Sequence, residues 1–124
     1  MKIATIIVRI LLGLVFVVFG LNGFIHFIPM GKMPEGAAGA FIGALFQSGY
    51  FYPIAALQIA GGALLLIGRY VALGLVLLGP VIVNILLYHS LLDRGGLPLA
   101  LVVSCLGLFL LWAYRERFAG ILRP

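Results

Sequence analysis

Four long stretches of this chain carry almost no charge, and no other feature constrains the fold as much. They run from about residue 3 to 28, 51 to 67, 71 to 92 and 97 to 114. A helix needs roughly 17–25 apolar residues to cross about 30 Å of hydrocarbon, and each stretch meets that length. Between them stand residues that end helices: Pro29, Gly68-Arg69, Asp93-Arg94-Gly95-Gly96 and Arg115-Glu116-Arg117. Of the 124 residues 65% are hydrophobic and 9% charged, against about half and about a quarter in a soluble domain. A soluble domain of roughly 150 residues still leaves about a third of its unfolded-chain surface in water, so it could not hide this composition. A soluble globular enzyme and a disordered chain are both excluded. The expected fold is an all-α integral membrane protein, a four-transmembrane-helix up-down bundle forming one domain over 1–124.

The charges predict an orientation. Lys2, Arg9, Arg69, Arg115, Arg117 and Arg123 fall on one side of this topology, and Lys32 and Arg94 on the other. Cytoplasmic loops carry the excess of Lys and Arg, so both termini are expected in the cytoplasm. Tyr50, Phe51 and Tyr52 then mark the outer interface, and Tyr70, Trp112 and Tyr114 the inner one. The net charge of +5 is too scattered for a phosphate-tracking patch, so no nucleic-acid partner is expected. Cys105 is alone, which removes an intramolecular disulfide and dithiol redox chemistry. The first apolar run contains Arg9 and lacks an A-x-A-like site, so it reads as a retained span rather than a cleaved signal.

Between the first two spans, about residues 34–48 are apolar but too short to cross. Pro34 and Glu35 suit a helix start, and Phe41, Ile42, Leu45 and Phe46 make two i,i+4 pairs on one side. The segment is expected to be an interfacial or partly re-entrant amphipathic helix across the mouth of the bundle. A linker packed down by its own hydrophobicity is the plainer alternative. Small residues should mark the helix contacts, since lipid offers no hydrophobic drive between helices. The candidates are Gly13 and Gly20, Ala56 and Ala60, Gly61-Gly62, Gly74 and Gly79, and Gly107. Pro80 removes the donor that the Val76 carbonyl would have had and is expected to kink the third span.

Few polar residues remain inside the spans, and no Asp or Glu is among them. That argues against carboxylate-coupled transport. By helical rise, Asn22, Gln58 and Ser104 fall roughly 9 Å below the outer surface and Asn84 roughly 12 Å. His26 and His89 come out roughly 3–5 Å deep. Asn22, His26, Gln58, Asn84 and His89 are therefore candidates to line an outward-facing polar pocket. Asn84 shares a helix face with Tyr88 rather than with His89. The plainer reading is that Asn and Gln hydrogen-bond between helices and that each His is an interfacial polar residue. Arg9 is expected to snorkel, and Ser104 and Cys105 to be packing residues. Two histidines could bracket a haem or hydrogen-bond a quinone carbonyl. Alone they make a poor metal site, so no metal centre is expected.

Three stretches, Arg9-Ile-Leu-Leu-Gly13, Phe16 with Gly20-Leu-Asn22-Gly-Phe, and Leu57-Gln58-Ile-Ala-Gly61-Gly62-Ala-Leu-Leu-Leu-Ile-Gly68, together with Pro80-Val-Ile-Val-Asn84-Ile-Leu-Leu-Tyr-His89, carry a likeness. In their order and spacing the chain resembles the DoxX family of small four-span membrane proteins. The resemblance implies a bacterial-type plasma-membrane protein. It also implies a link to quinone chemistry, since the family takes its name from a subunit tied to quinone reduction by thiosulfate. Two positions depart from a common family pattern: Gly23 stands where relatives often carry Lys, and Gln58 where they often carry Glu. Losing both charges avoids an orphaned buried ion.

Two functions follow as expectations. One is a quinone-associated or redox-accessory subunit, with quinone as the ligand and a membrane or redox subunit as partner. In it the histidines bond or exchange protons with the quinone head, and Asn and Gln orient it. The other is a non-enzymatic membrane module that binds a lipid or a partner membrane protein through the amphipathic segment and the glycine faces.

Overall fold

A computed structural model describes residues 2–25 and 35–122. The described residues are helical and contain no strand. Five α-helices follow in order: α1 Lys2–Ile25, α2 Gly36–Gln47, α3 Phe51–Ile67, α4 Val71–Leu91 and α5 Leu97–Ala113. Short 3-10 segments, Arg94–Gly96 and Arg115–Leu122, lead into and out of α5. The helices begin and end where proline, glycine and charge punctuate the sequence. Pro53 and Pro98 lie in first turns, where a missing N–H costs nothing. Gly68 closes α3 in the left-handed conformation at φ 80°, its N–H bonded to Leu64 O at 3.0 Å. Asp93 turns the chain into α5 by accepting from the Gly95 N–H at 3.2 Å.

α1, α3, α4 and α5 pack as a ring in which α1 meets α3, α3 meets α4, α4 meets α5 and α5 returns to α1. The register runs antiparallel. Gly13 lies against Gly62, Gly20 against Ala55 and Ile59, and Gly23 against Phe51, while the Arg9 guanidinium reaches Gly68. Gly61 and Gly74 touch across the α3–α4 hairpin, and Gly107 approaches Ile82 between α4 and α5. Lys2, Arg9, Arg69, Arg115 and Arg117 therefore gather at one end, here called the basic end. α2 and the 92–96 turn form the other end.

Among the described residues, three helical stretches are long and apolar enough to cross a bilayer: Lys2–Phe24, Val71–Leu91 and Arg94–Ala113. α3 has 17 residues and becomes a fourth only when counted with α2, from which it is bent by 84°. Their outer faces are aliphatic, with Leu11, Leu14, Leu73, Val76, Val83, Leu101, Val102 and Leu108 exposed. Such a surface is compatible with a membrane bundle and far too apolar for a soluble monomer.

The core is also aliphatic. Leu12, Leu65, Leu78 and Leu110 are completely buried, with Phe16, Val71 and Leu75 around them. In a bilayer, burying leucine would gain little, so cohesion there would have to come from close packing. Glycine makes the close approach possible. A Cβ on Gly13 would stand 2.8 Å from Gly62 O, and one on Gly62 2.8 Å from Gly13 O. The two backbones are in direct contact. Two expectations about small residues need correcting. Ala56 and Ala60 are exposed, and Ala55, fully buried, is the alanine at the α1 contact. Gly79 faces open space. The stripe that packs is 55, 58, 62, 65, one residue off the small-residue pair the sequence displays.

Candidate functional site

Among the described residues, a larger and a smaller cavity lie toward the α2 end. The larger, about 670 Å³, is a groove between α3 and α4 over which α2 lies. Its lining is mostly apolar and aromatic: Phe41, Ile42 and Leu45 from α2, Phe51, Ile54 and Leu57 from α3, and Val81, Ile85 and Tyr88 from α4. The polar groups facing it are Ser48, Tyr50, Gln58, Asn84, Tyr88 and His89. The smaller, about 250 Å³, lies within the ring and is lined by Phe16, Phe19, Asn22, Leu99, Ala100 and Val103. Phe51, Gln58, Ile85 and His89 line both. They form the wall between groove and interior.

The expected site residues divide unequally across this arrangement. Gln58 and His89 are brought together in the shared wall. Asn22 is buried and faces only the inner cavity. Asn84 faces only the groove, is itself exposed, and spends its amide locally, Nδ2 donating to Pro80 O at 2.8 Å. It is not part of the wall, because a short amide on a helix is within reach of the carbonyl one turn back. His26 lies outside the described residues. Ser104 likewise bonds its own helix, Oγ donating to Ala100 O at 2.8 Å. Cys105 is exposed, so it is not an internal packing residue.

The wall residues differ in what they have to offer. Gln58 is 8% exposed and its amide makes no hydrogen bond among the described residues. An amide offers two N–H donors and an acceptor oxygen. His89 Nδ1 lies 2.8 Å from Ile85 O. A carbonyl can only accept, so Nδ1 carries the proton, and in the neutral ring Nε2 is left as an acceptor. The ring is held in place on two sides. Tyr88 meets it edge-on at 5.0 Å, and Gly96 backs it so closely that any Cβ there would collide with Cδ2 and Nε2.

Sequence reasoning missed three participants. Phe51 reads as an interfacial aromatic yet turns inward to form part of the wall. Gly96 reads as a turn residue yet backs the imidazole. Tyr88 reads as one more polar residue, but its hydroxyl oxygen is buried and has no hydrogen-bond partner among the described residues. The i,i+4 relation of Asn84 and Tyr88 was the available signal for it. The Phe41 ring of α2 packs on Tyr88 at 5.7 Å, and Phe46 packs on Phe51 at 4.6 Å.

At the basic end Arg9 and Arg115 are held against the bundle. The Arg9 guanidinium lies on Gly68, at the carboxyl end of α3 where the helix dipole favours a cation. Arg115 lies over the Trp112 ring at 4.7 Å and donates to Trp112 O at 2.8 Å.

No family model matches the chain, and no solved structure matches it. A stretch of 66 residues is 42% identical to the uncharacterized protein YwoB of Bacillus subtilis (strain 168). The match covers 53% of this chain and 43% of that protein, so it reaches less than half the relative's length.

Proposed function

We propose that this chain is an integral membrane protein of the DoxX type that binds a quinone-like amphipathic molecule at the α2 end of its bundle. The observation that carries the reading is the shared wall: Gln58 and His89 present unspent hydrogen-bonding capacity in an otherwise apolar and aromatic lining. A groove of about 670 Å³ is within the range of small-molecule sites, which are mostly apolar with a few polar groups that fix orientation. Gln58 would donate to a quinone carbonyl, and His89 Nε2 would accept from a quinol hydroxyl. Ile54, Leu57 and Val81 would hold an apolar tail. A quinone, when bound, supplies two-electron redox chemistry that no side chain of this protein has. Neutral groups suit such a ligand, since neither of its forms carries a charge that Gln58 or His89 would have to match.

The same reading sets both termini in the cytoplasm. It is supported by the gathering of Lys2, Arg9, Arg69, Arg115 and Arg117 at one end. The bundle would then lie in a bacterial plasma membrane with the groove toward its outer face.

Titration of a short-chain ubiquinone analogue into the purified protein in nanodiscs tests the site. Saturable binding is expected for the wild type, weakened about tenfold by Gln58→Leu and by His89→Leu. Equal affinity in all three proteins would remove these residues from the site, and no saturable binding in the wild type would remove the quinone.

A further inference from the structure

Helix α2 is attached unlike the other helices. Ala38 is its one buried residue among those described, and rings fasten it to the bundle, Phe46 on Phe51 and Phe41 on Tyr88. A glycine in the left-handed region stands at each end, Gly36 at φ 70° and Gly49 at φ 78°. Such positions absorb backbone rotation at little steric cost. The Tyr88 that Phe41 packs on has its hydroxyl buried and without a hydrogen-bond partner among the described residues. An unpaired phenol in an apolar setting is a costly arrangement. Tyr88 also faces the groove that α2 covers.

We infer that α2 is a hinged cover over the groove, and that Tyr88 beneath it is a further ligand-binding residue, whose hydroxyl pairs with an oxygen of the bound molecule. The cover stands on the geometry of α2 alone; the role of Tyr88 rests on the ligand reading given above. With α2 swung about Gly36 and Gly49, Phe41 leaves Tyr88 and the groove opens at its side. A ligand carbonyl or hydroxyl entering there meets the phenol, which can donate or accept. Closure then returns Phe41 over the occupied groove and Phe46 onto Phe51. The order has a physical logic: the hydroxyl, without a partner among the described residues, gains one from the ligand.

Nitration by tetranitromethane, a membrane-permeant reagent that attacks the tyrosine ring beside its hydroxyl, reads the cover directly. Each tyrosine is followed by peptide mass spectrometry in nanodisc-embedded protein, with the exposed Tyr70 as internal standard. Phe41→Ala is expected to speed nitration of Tyr88 several-fold and leave Tyr70 unchanged. Phe41 is 44% exposed and outside the core cluster, so its truncation spares the core. Tyr88→Phe is expected to weaken the short-chain ubiquinone analogue roughly three- to tenfold, and Phe41→Ala to speed its association. Unchanged Tyr88 nitration in Phe41→Ala overturns the cover whatever the ligand is. Unchanged affinity in Tyr88→Phe, with Gln58→Leu still weakened, overturns the role of Tyr88 and leaves the wall as the site. Faster nitration with no quinone binding in the wild type supports the cover and refutes the ligand.

Discussion

The basic end of the bundle is solid and the α2 end is hollow, although the same four helices run through both. Toward the basic end, Leu12, Leu65, Leu75, Leu78 and Leu110 fill the interior without exposure of more than a few per cent. There the α1 and α3 backbones touch at Gly13 and Gly62, and those of α3 and α4 at Gly61 and Gly74. Toward the α2 end, α1 stays on α3 through Gly20 and Gly23, but the groove opens between α3 and α4. Every α4 residue that lines it lies at or beyond Pro80. The comparison teaches how a chain with little polar chemistry makes a site. Glycine contacts hold one end together without side-chain bulk, while Pro80 and large rings line the opening at the other.

The largest effect is expected where the backbones touch. Gly62→Ala should cost about 2 kcal/mol of stability, because its Cβ meets the Gly13 carbonyl and the Val17 backbone. Gly79→Ala, with open space around it, should be neutral or gain up to about 1 kcal/mol in helix propensity. Reversible unfolding in mixed micelles measures both, and equal costs would break the claim that glycine contact makes the solid end. Next, Pro80→Ala restores the donor to the Val76 carbonyl. It should raise stability by about 1 kcal/mol and lower affinity for the ubiquinone analogue, if proline is what keeps the groove open. A smaller effect, just under about 1 kcal/mol, is expected from Gly96→Ala. Its methyl displaces the His89 ring and breaks the bond to Ile85 O, which the imidazole nitrogen resonances would report. Smallest is Asn84→Leu, within about 0.5 kcal/mol and without effect on ligand affinity. Its amide serves only Pro80 O, so a loss of binding as large as that of Gln58→Leu would move the site out of the wall and into the groove.

Much of the fold was legible because hydropathy and helix-ending residues are local signals. α3, α4 and α5 begin and end within a residue of the apolar stretches, and α2 occupies the short segment read as non-spanning. The site was legible only as a set of candidates. Asn22, Gln58, Asn84 and His89 are all polar and all lie in the same half of their spans, but depth carries no information about rotation around a helix axis. The Asn84 side chain satisfies itself on its own backbone, whereas Gln58 does not. Ala56 and Ala60 misled for the same reason: two small residues at helical spacing name a face without saying which way it turns.

The sequence by itself determined that the chain is helical and apolar enough for a bilayer, where the helices end, and which end collects the basic residues. These follow from composition and from spacing along the chain, which need no neighbour. Tertiary structure decided that α3 turns Ala55 and Gln58 rather than Ala56 and Ala60 toward α1. It also set Gln58 and His89 as one wall between two cavities, and laid α2 over Tyr88. The physical reason is that in a chain so uniformly apolar, hydrophobicity does not distinguish one helix face from another. Only shape does, through the places where a missing Cβ lets two backbones meet.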